Sequence, residues 1–160
     1  MRLFHLSDLH IGKRVNEFSM IEDQKYILEG ILDLAEKEMP DGVILAGDIY
    51  DKQITSAEAV QVFDEFITKL AERKLPVFVI SGNHDSAERL AFGGRLLKSR
   101  GIYLSPVYDG TVMKIPIADQ YGTVWIHLLP FIRPAAVRRV FEDESDLITA
   151  VQSAVRAVIS

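Results

Sequence analysis

The chain contains no cysteine. Disulfides, thiolate metal sites and cysteine nucleophiles are therefore excluded, and the composition fits a reducing compartment. Long apolar runs are also missing: none approaches the ~20 residues that a membrane helix needs. Met1 to His5 is too short and too interrupted by polar residues to be a secretory leader, so a cytoplasmic protein is expected. Positive charge is not in excess. The net charge of −5 argues against a general polyanion coat, although local basic patches remain open. Proline and glycine, at six and ten residues, are too few for a low-complexity or linker-rich chain, and no internal repeat is found. What is present is 48% hydrophobic and 26% charged residues over 160 positions, enough for one domain with a real core.

Strand-like and helix-like segments alternate, which predicts a layered α/β architecture. Arg2 to Ser7 reads as a short strand, with a loop from Gly12 to Phe18 after it. Ser19 and Glu22 have capping-box spacing ahead of a helix whose apolar face carries Ile27, Ile31, Leu34 and Ala35. Gly42 to Ala46 and Leu75 to Ile80 are buried strands. Between them, Thr55 and Glu58 would cap a helix that buries Val60, Phe63, Ile67 and Leu70. A third helix is expected from Ser86 to Arg100, broken or closely packed at Gly93-Gly94. Ile102 to Leu104, Thr111 to Ile117 and Thr123 to Leu129 read as strands, the last two joined by a turn at Asp119–Gly122. Pro134 opens a helix, and Leu147, Val151, Ala154 and Val158 mark a final one.

Three of the predicted strands run into polar loops, where α/β sheets place their sites. The first loop, "SDLH", offers Asp8 and His10. If the segment is extended, residues i and i+2 share a side and both reach one ion. The second, "AGDIYD", offers Asp48 and Asp51, and the third, "SGNHDS", offers Asn83 and His84. Carboxylate, imidazole and amide oxygen form a donor set suited to Mn²⁺, Fe²⁺ or Zn²⁺. A carboxylate such as Asp48 can bridge two ions, and two bridged ions can hold a phosphate for in-line attack. His84 is placed to act beside the metals on the leaving oxygen, oriented by Asp51 or Asp85. Each piece alone has an ordinary reading as a turn, a cap or a surface residue; it is the threefold coincidence at strand ends that points to a site. His5, inside the first strand, reads as a core or sheet histidine, and His127 in "VWIHLLPF" as one packed in a strand.

With these separations, "DLH", "AGDIYD" and "SGNHDS" resemble the first three motifs of the calcineurin-like metallophosphoesterase superfamily. "HLSDLHIGKR", the Asp23-Gln24 pair, "GDIYDKQITSAEAV", "GNHDSAERLAFGGRLL" and "LLPFIRP" look like its SbcD-type DNA repair nucleases, over nearly the whole chain. The resemblance implies a sandwich of mixed β-sheets flanked by helices, present as the N-terminal part (1–160) of a nuclease domain and incomplete at its C-terminal side. It implies two divalent metal ions, most often Mn²⁺: Asp8 and His10 on the first, Asp48 bridging, Asn83 on the second and His84 catalytic. Asp51 stands where some relatives carry a second site histidine. The superfamily's later motifs, a lone His after a strand and a Gly-His-x-His turn, have no match after His84. The second metal site is therefore expected to be incomplete and the chain alone nearly inactive.

The resemblance also implies cleavage of DNA ends and hairpins in repair and recombination, with an SbcC-like SMC-type ATPase as partner. A homodimer is implied too, for which Phe92, Leu96 and Leu97 offer a surface. Lys13, Arg14, Arg89, Arg95 and Arg133 lie near the site loops and are candidates for the DNA backbone; any one alone reads as solvated surface charge. The alternatives are a phosphomonoesterase or cyclic-nucleotide phosphodiesterase and, in another class, a non-catalytic dimerisation fragment.

Overall fold

The computed structural model describes residues 1–140, 151–153, 155 and 156. Four parallel strands form the central sheet: β1 (Leu3–Leu6), β4 (Gly42–Ala46), β5 (Val77–Ile80) and β6 (Ile102–Leu104), in the order β1-β4-β5-β6. A small hairpin, β2 (Arg14–Val15) and β3 (Phe18–Ser19), interrupts the path from β1 to helix α1 (Ile21–Glu38); helix α2 (Ala57–Glu72) links β4 to β5. Each crossover advances the sheet one strand in the same direction. Right-handed connections of that kind place both helices on one face. A second two-stranded sheet, β7 (Met113–Asp119) with β8 (Gly122–Leu128), covers the other.

Alternation along the strands supplies both cores. Val43, Leu45, Val77 and Val79 are fully buried among residues of α1 and α2, such as Leu32, Phe66 and Leu70. Their neighbours Ile44, Phe78 and Ile80 point the opposite way and pack with Ile115 and Leu128 of the hairpin. Phe78 stacks on Tyr103 at 5.3 Å between centroids, closing this second core. The strand runs are continuous in apolar residues because both faces are covered.

Several local expectations are corrected. On α1 the buried stripe is Ile21, Leu28, Leu32 and Ala35, whereas Ile27 and Leu34 are exposed. On α2, Val60 is exposed and Ala59, Val62 and Phe66 join the predicted Phe63, Ile67 and Leu70. Ser19 pairs with Arg14 in the small hairpin and the cap position is Met20, without a side-chain bond of its own, yet the Ser19 hydroxyl accepts the Ile21 N–H at the start of α1 at 3.4 Å. Ser56, not Thr55, caps α2, its hydroxyl accepting the Ala59 N–H at 3.2 Å. The predicted helix over 86–100 is divided into α3 (Ala87–Leu90), α4 (Gly94–Leu97) and a 3₁₀ turn (Lys98–Arg100), with Gly93 at φ 75° in the break. His5 lies in β1 but on the exposed side of this edge strand. The expected strand from Thr111 starts at Met113, and Pro134 opens α5 (Pro134–Val140) as expected. Of the final helix's marker positions, Leu147, Ala154 and Val158 lie outside the described residues, and Val151 is helical. Among the described residues no helix is long and apolar enough to cross a membrane.

Candidate metal centre

The parallel pairing of β1 with β4 continues past the strand ends into the first two site loops. The N–H groups of Asp8, His10 and Ile11 donate to the carbonyls of Gly47, Asp48 and Ile49 at 3.2, 2.9 and 2.8 Å, and Asp51 N–H returns to Ile11 O at 3.2 Å. Asp8 and His10 are not extended, contrary to the sequence reading: β1 ends at Leu6, and they sit at φ 56° and 45°, with Asp48 at 48°. Non-glycine residues rarely occupy this left-handed region, and clusters of them mark functional sites. The two side chains converge nonetheless, with Asp8 Oδ1 3.9 Å from His10 Nε2.

His10 is the hub of the site. Asp48 Oδ2 lies 4.0 Å from its Nε2, and Asp51 Oδ1 lies 3.8 Å from its Nδ1. None of these contacts is a hydrogen bond, and the buried Nδ1 has no hydrogen-bond partner among the described residues. Three carboxylates gathered round one imidazole repel one another unless a cation joins them. Donors sharing a divalent ion at roughly 2.1 Å each also stand about 3–4 Å apart. Ligand atoms of His10, Asp48 and His84 all lie within 4.8 Å of one another. The residues present thus fit a divalent metal in both chemistry and spacing.

The third loop closes over the second. Gly47 and Gly82 allow this approach, since a Cβ on Gly82 would stand 2.1 Å from Asp48 Oδ1. His84 N–H donates to that same Asp48 oxygen at 2.9 Å. The His84 ring meets the His10 ring edge-on at 4.8 Å. Its Nδ1 lies 2.9 Å from the carbonyl oxygen of Asp51. A carbonyl can only accept, so Nδ1 carries the proton and Nε2 is the nitrogen left for chemistry. It is therefore the main chain of Asp51, not its carboxylate, that orients His84. Asn83 is exposed and lines one depression with Asp8 and Asp48 and another with Asp51 and His84.

Asp85, a sequence candidate for orienting His84, does something else. Its buried carboxylate accepts the N–H groups of Ile49, Tyr50 and Gly82 at 3.1, 2.9 and 2.8 Å, joining the second loop to the third. Burial, with the Asp85 and Asp64 charges, pushes the Tyr50 phenol well above its ordinary range, so it stays neutral. Gln24, whose role in the site the sequence reading missed, does for the first loop what Asp85 does for the other two. It accepts from Gly12 N–H at 3.0 Å and donates to the carbonyls of Leu9 and His10 at 3.0 and 2.8 Å. Its outward signals were the Asp23-Gln24 pair that takes part in the nuclease resemblance and its place in the first turns of the helix that follows the loop.

The basic candidates divide. Lys13 and Arg14 are exposed at the small hairpin, where the Arg14 guanidinium donates to the Glu17 carbonyl. Arg14 and Lys52 flank a cleft of about 260 Å³ that reaches Asp51. Arg89 borders an apolar depression with Tyr50, Val60 and Phe92, and Arg95 is exposed on α4. Arg133, half-buried, donates to the carbonyls of Asn83 and Asp85. His127 lies in β8, half-buried opposite Lys114, and is not part of the His10–Asp48–His84 group.

A parallel sheet whose strand-end loops gather aspartates and histidines at metal-ligand spacing defines an α/β domain with a candidate divalent-metal centre. The family model for calcineurin-like phosphoesterases matches residues 1–149, and the chain belongs to that family. Among curated proteins it is similar to the SbcD subunit of the nuclease SbcCD from Staphylococcus epidermidis (strain ATCC 12228 / FDA PCI 1200), at 36% identity over 145 residues. The match takes in 90% of this chain and 38% of that protein, so the chain spans well under half the length of the relative.

Proposed function

We propose that this chain carries the metal-binding loops and catalytic histidine of a nuclease that hydrolyses phosphodiester bonds at DNA ends and hairpins. In this reading it acts in the cytoplasm, in DNA repair, as part of a complex with an SMC-type ATPase. The observation that carries the proposal is the convergence of Asp8, Asp48 and Asp51 on His10, with His84 oriented at the rim. The likeness to a component of the SbcCD nuclease supports DNA as the substrate. Asp8, His10 and Asp48 would hold one divalent ion, and Asp48 with Asn83 a second, Mn²⁺ being the preferred metal. When bound, the ions supply Lewis acidity toward the phosphate oxygens and an activated nucleophile. His84 presents Nε2 to the leaving oxygen while Asp51 O holds Nδ1. Of the three surface candidates, Leu97 packs partly against the main core, and Phe92 and Leu96, exposed at 86% and 80%, would form the homodimer contact. Lys13, Arg14 and Arg89 would meet the DNA backbone.

The test is an activity panel on the intact gene product with Mn²⁺: linear and hairpin duplex DNA, a cyclic nucleotide, p-nitrophenyl phosphate and bis-p-nitrophenyl phosphate. Cleavage of DNA and of the small diester is expected, falling by about 100-fold or more in His84→Ala. Turnover of the monoester or cyclic nucleotide with DNA left intact would replace the nuclease by a phosphatase or nucleotide phosphodiesterase. No turnover of any substrate would leave a non-catalytic assembly role.

A further inference from the structure

The segment after β8 crosses the mouth of the site and brings Arg133 against the third loop. One guanidinium nitrogen, Nη2, donates to the carbonyl oxygen of Asn83 at 2.6 Å and to that of Asp85 at 3.1 Å. The residue between those two carbonyls is His84. When its amide oxygen faces the guanidinium, as a pure donor requires, Gln53 accepts from Nη2 at 2.9 Å and from Nη1 at 3.2 Å. Gln53 stands two residues beyond Asp51, whose carbonyl holds the His84 ring. The arginine is itself anchored: Phe131 N–H donates to Ser81 O at 2.8 Å, and the Phe131 ring lies 5.8 Å from the guanidinium carbon.

We propose that Arg133 is a positioning residue for His84, gripping the main chain on both sides of it and the loop that orients its ring. The inference rests on His84 being the residue that acts on the leaving oxygen. The geometry argues for it in two ways. Apart from Arg133, the turn Asn83–Asp85 is fixed by the Asp85 carboxylate and by the His84 N–H on Asp48. Arg133 adds a third fixed point, from a different segment of the chain. Nη2 serves the two turn carbonyls while Nη1 and Nη2 together hold the one Gln53 oxygen, a two-nitrogen grip that the single ammonium of a lysine does not reproduce. The sequence reading of Arg133 as a DNA-backbone contact makes the opposite forecast, because a phosphate contact tolerates lysine and matters only on a polymer substrate.

The two roles separate in the intact Mn²⁺-loaded gene product with Arg133→Lys, Arg133→Ala and Gln53→Ala, assayed on bis-p-nitrophenyl phosphate and on duplex DNA. A positioning role predicts that kcat on the small diester falls on the order of 100-fold in both Arg133 variants, as a shift of about 1 Å would produce, with KM little changed. Gln53→Ala should fall less, in the same direction. Wild-type kcat on the small diester, together with DNA binding whose salt dependence has lost about one phosphate, would overturn the proposal. A second readout needs no turnover. In metal-free protein, the ¹⁵N shifts of the His84 ring should report the Nδ1–H tautomer in the wild type and a tautomer mixture in Arg133→Lys. Identical ring shifts in the two would overturn the clamp. If the wild type cleaves no phosphodiester, the nuclease reading fails while the ring shifts still decide whether Arg133 positions His84.

Discussion

Asp8, His10 and Asp48 occupy left-handed backbone, a region in which each non-glycine residue costs about 1–3 kcal/mol. The chain tolerates all three because loop carbonyls and N–H groups pair across from β1 to β4, and because Gln24 and Asp85 tie down the remaining main-chain groups. The residue types were legible in the sequence, since aspartate, histidine and asparagine at three strand ends have little else in common. The backbone that aims them was not: nothing in "SDLH" separates an extended pair from a left-handed one. Glycine is where this scale is most exposed to test. A Cβ at Gly82 would stand 2.1 Å from Asp48 Oδ1 and 2.3 Å from Asp48 N, both part of the candidate ligand loop. Gly82→Ala should therefore leave the sheet intact by circular dichroism yet weaken Mn²⁺ binding, measured by calorimetry, by about tenfold or more, since a ligand displaced by a few tenths of an ångström coordinates poorly. Unaltered affinity would mean that Asp48 is not a ligand.

The elements were read well where both faces of a strand are covered. β4 and β6 begin and end where their continuous apolar runs do. The helix faces were read less well. Helix α1 carries two adjacent apolar stripes, Ile27-Ile31-Leu34 and Leu28-Leu32-Ala35, both with helical spacing, and only packing against the sheet and α2 selects the second. Its start was misplaced because Ser19 belongs to a two-residue strand too short to show in a periodicity, closed by Asn16 and Glu17 at positive φ. What α1 contributes to the site is Gln24, held at its first turns and reaching back to three main-chain groups of the "LHIG" loop. Gln24→Leu keeps the size of the side chain and removes all three bonds. It should lower stability by about 1–3 kcal/mol in urea unfolding. It should also speed hydrogen exchange at Gly12 N–H, which loses its acceptor, while the amides of β4 exchange as before. Unchanged exchange at Gly12 would show that the loop holds its shape without α1.

At the scale of the molecule, single-step crossovers bring the loops after β1, β4 and β5 to one end of the sheet, and the hairpin layer delivers the segment after β8 to the same end. The result concentrates negative charge. Asp8, Asp48 and Asp51 stand within 4.0 Å of one imidazole in a chain whose net charge is already −5. A divalent cation relieves that repulsion only in the folded state, because the unfolded chain separates the three loops. Binding must then appear as stability: at a free Mn²⁺ concentration 100 times its Kd, the gain is about 2.7 kcal/mol, or roughly 5–10 °C in Tm for a domain of this size. The donors are unequal, since Asp8 and Asp48 each lie within 4.0 Å of His10 Nε2 while the second ion would rely on the shared Asp48 and an exposed Asn83. Titration of the 160-residue chain with Mn²⁺ should accordingly give one site well ahead of a weaker second. Chelation by EDTA should reverse the Tm gain, and His10→Ala should abolish it, because His10 is the one side chain that all three carboxylates face. A gain that survives in His10→Ala would place the metal elsewhere on the molecule, and two equally tight sites would mean that Asn83 is a stronger anchor than its exposure suggests.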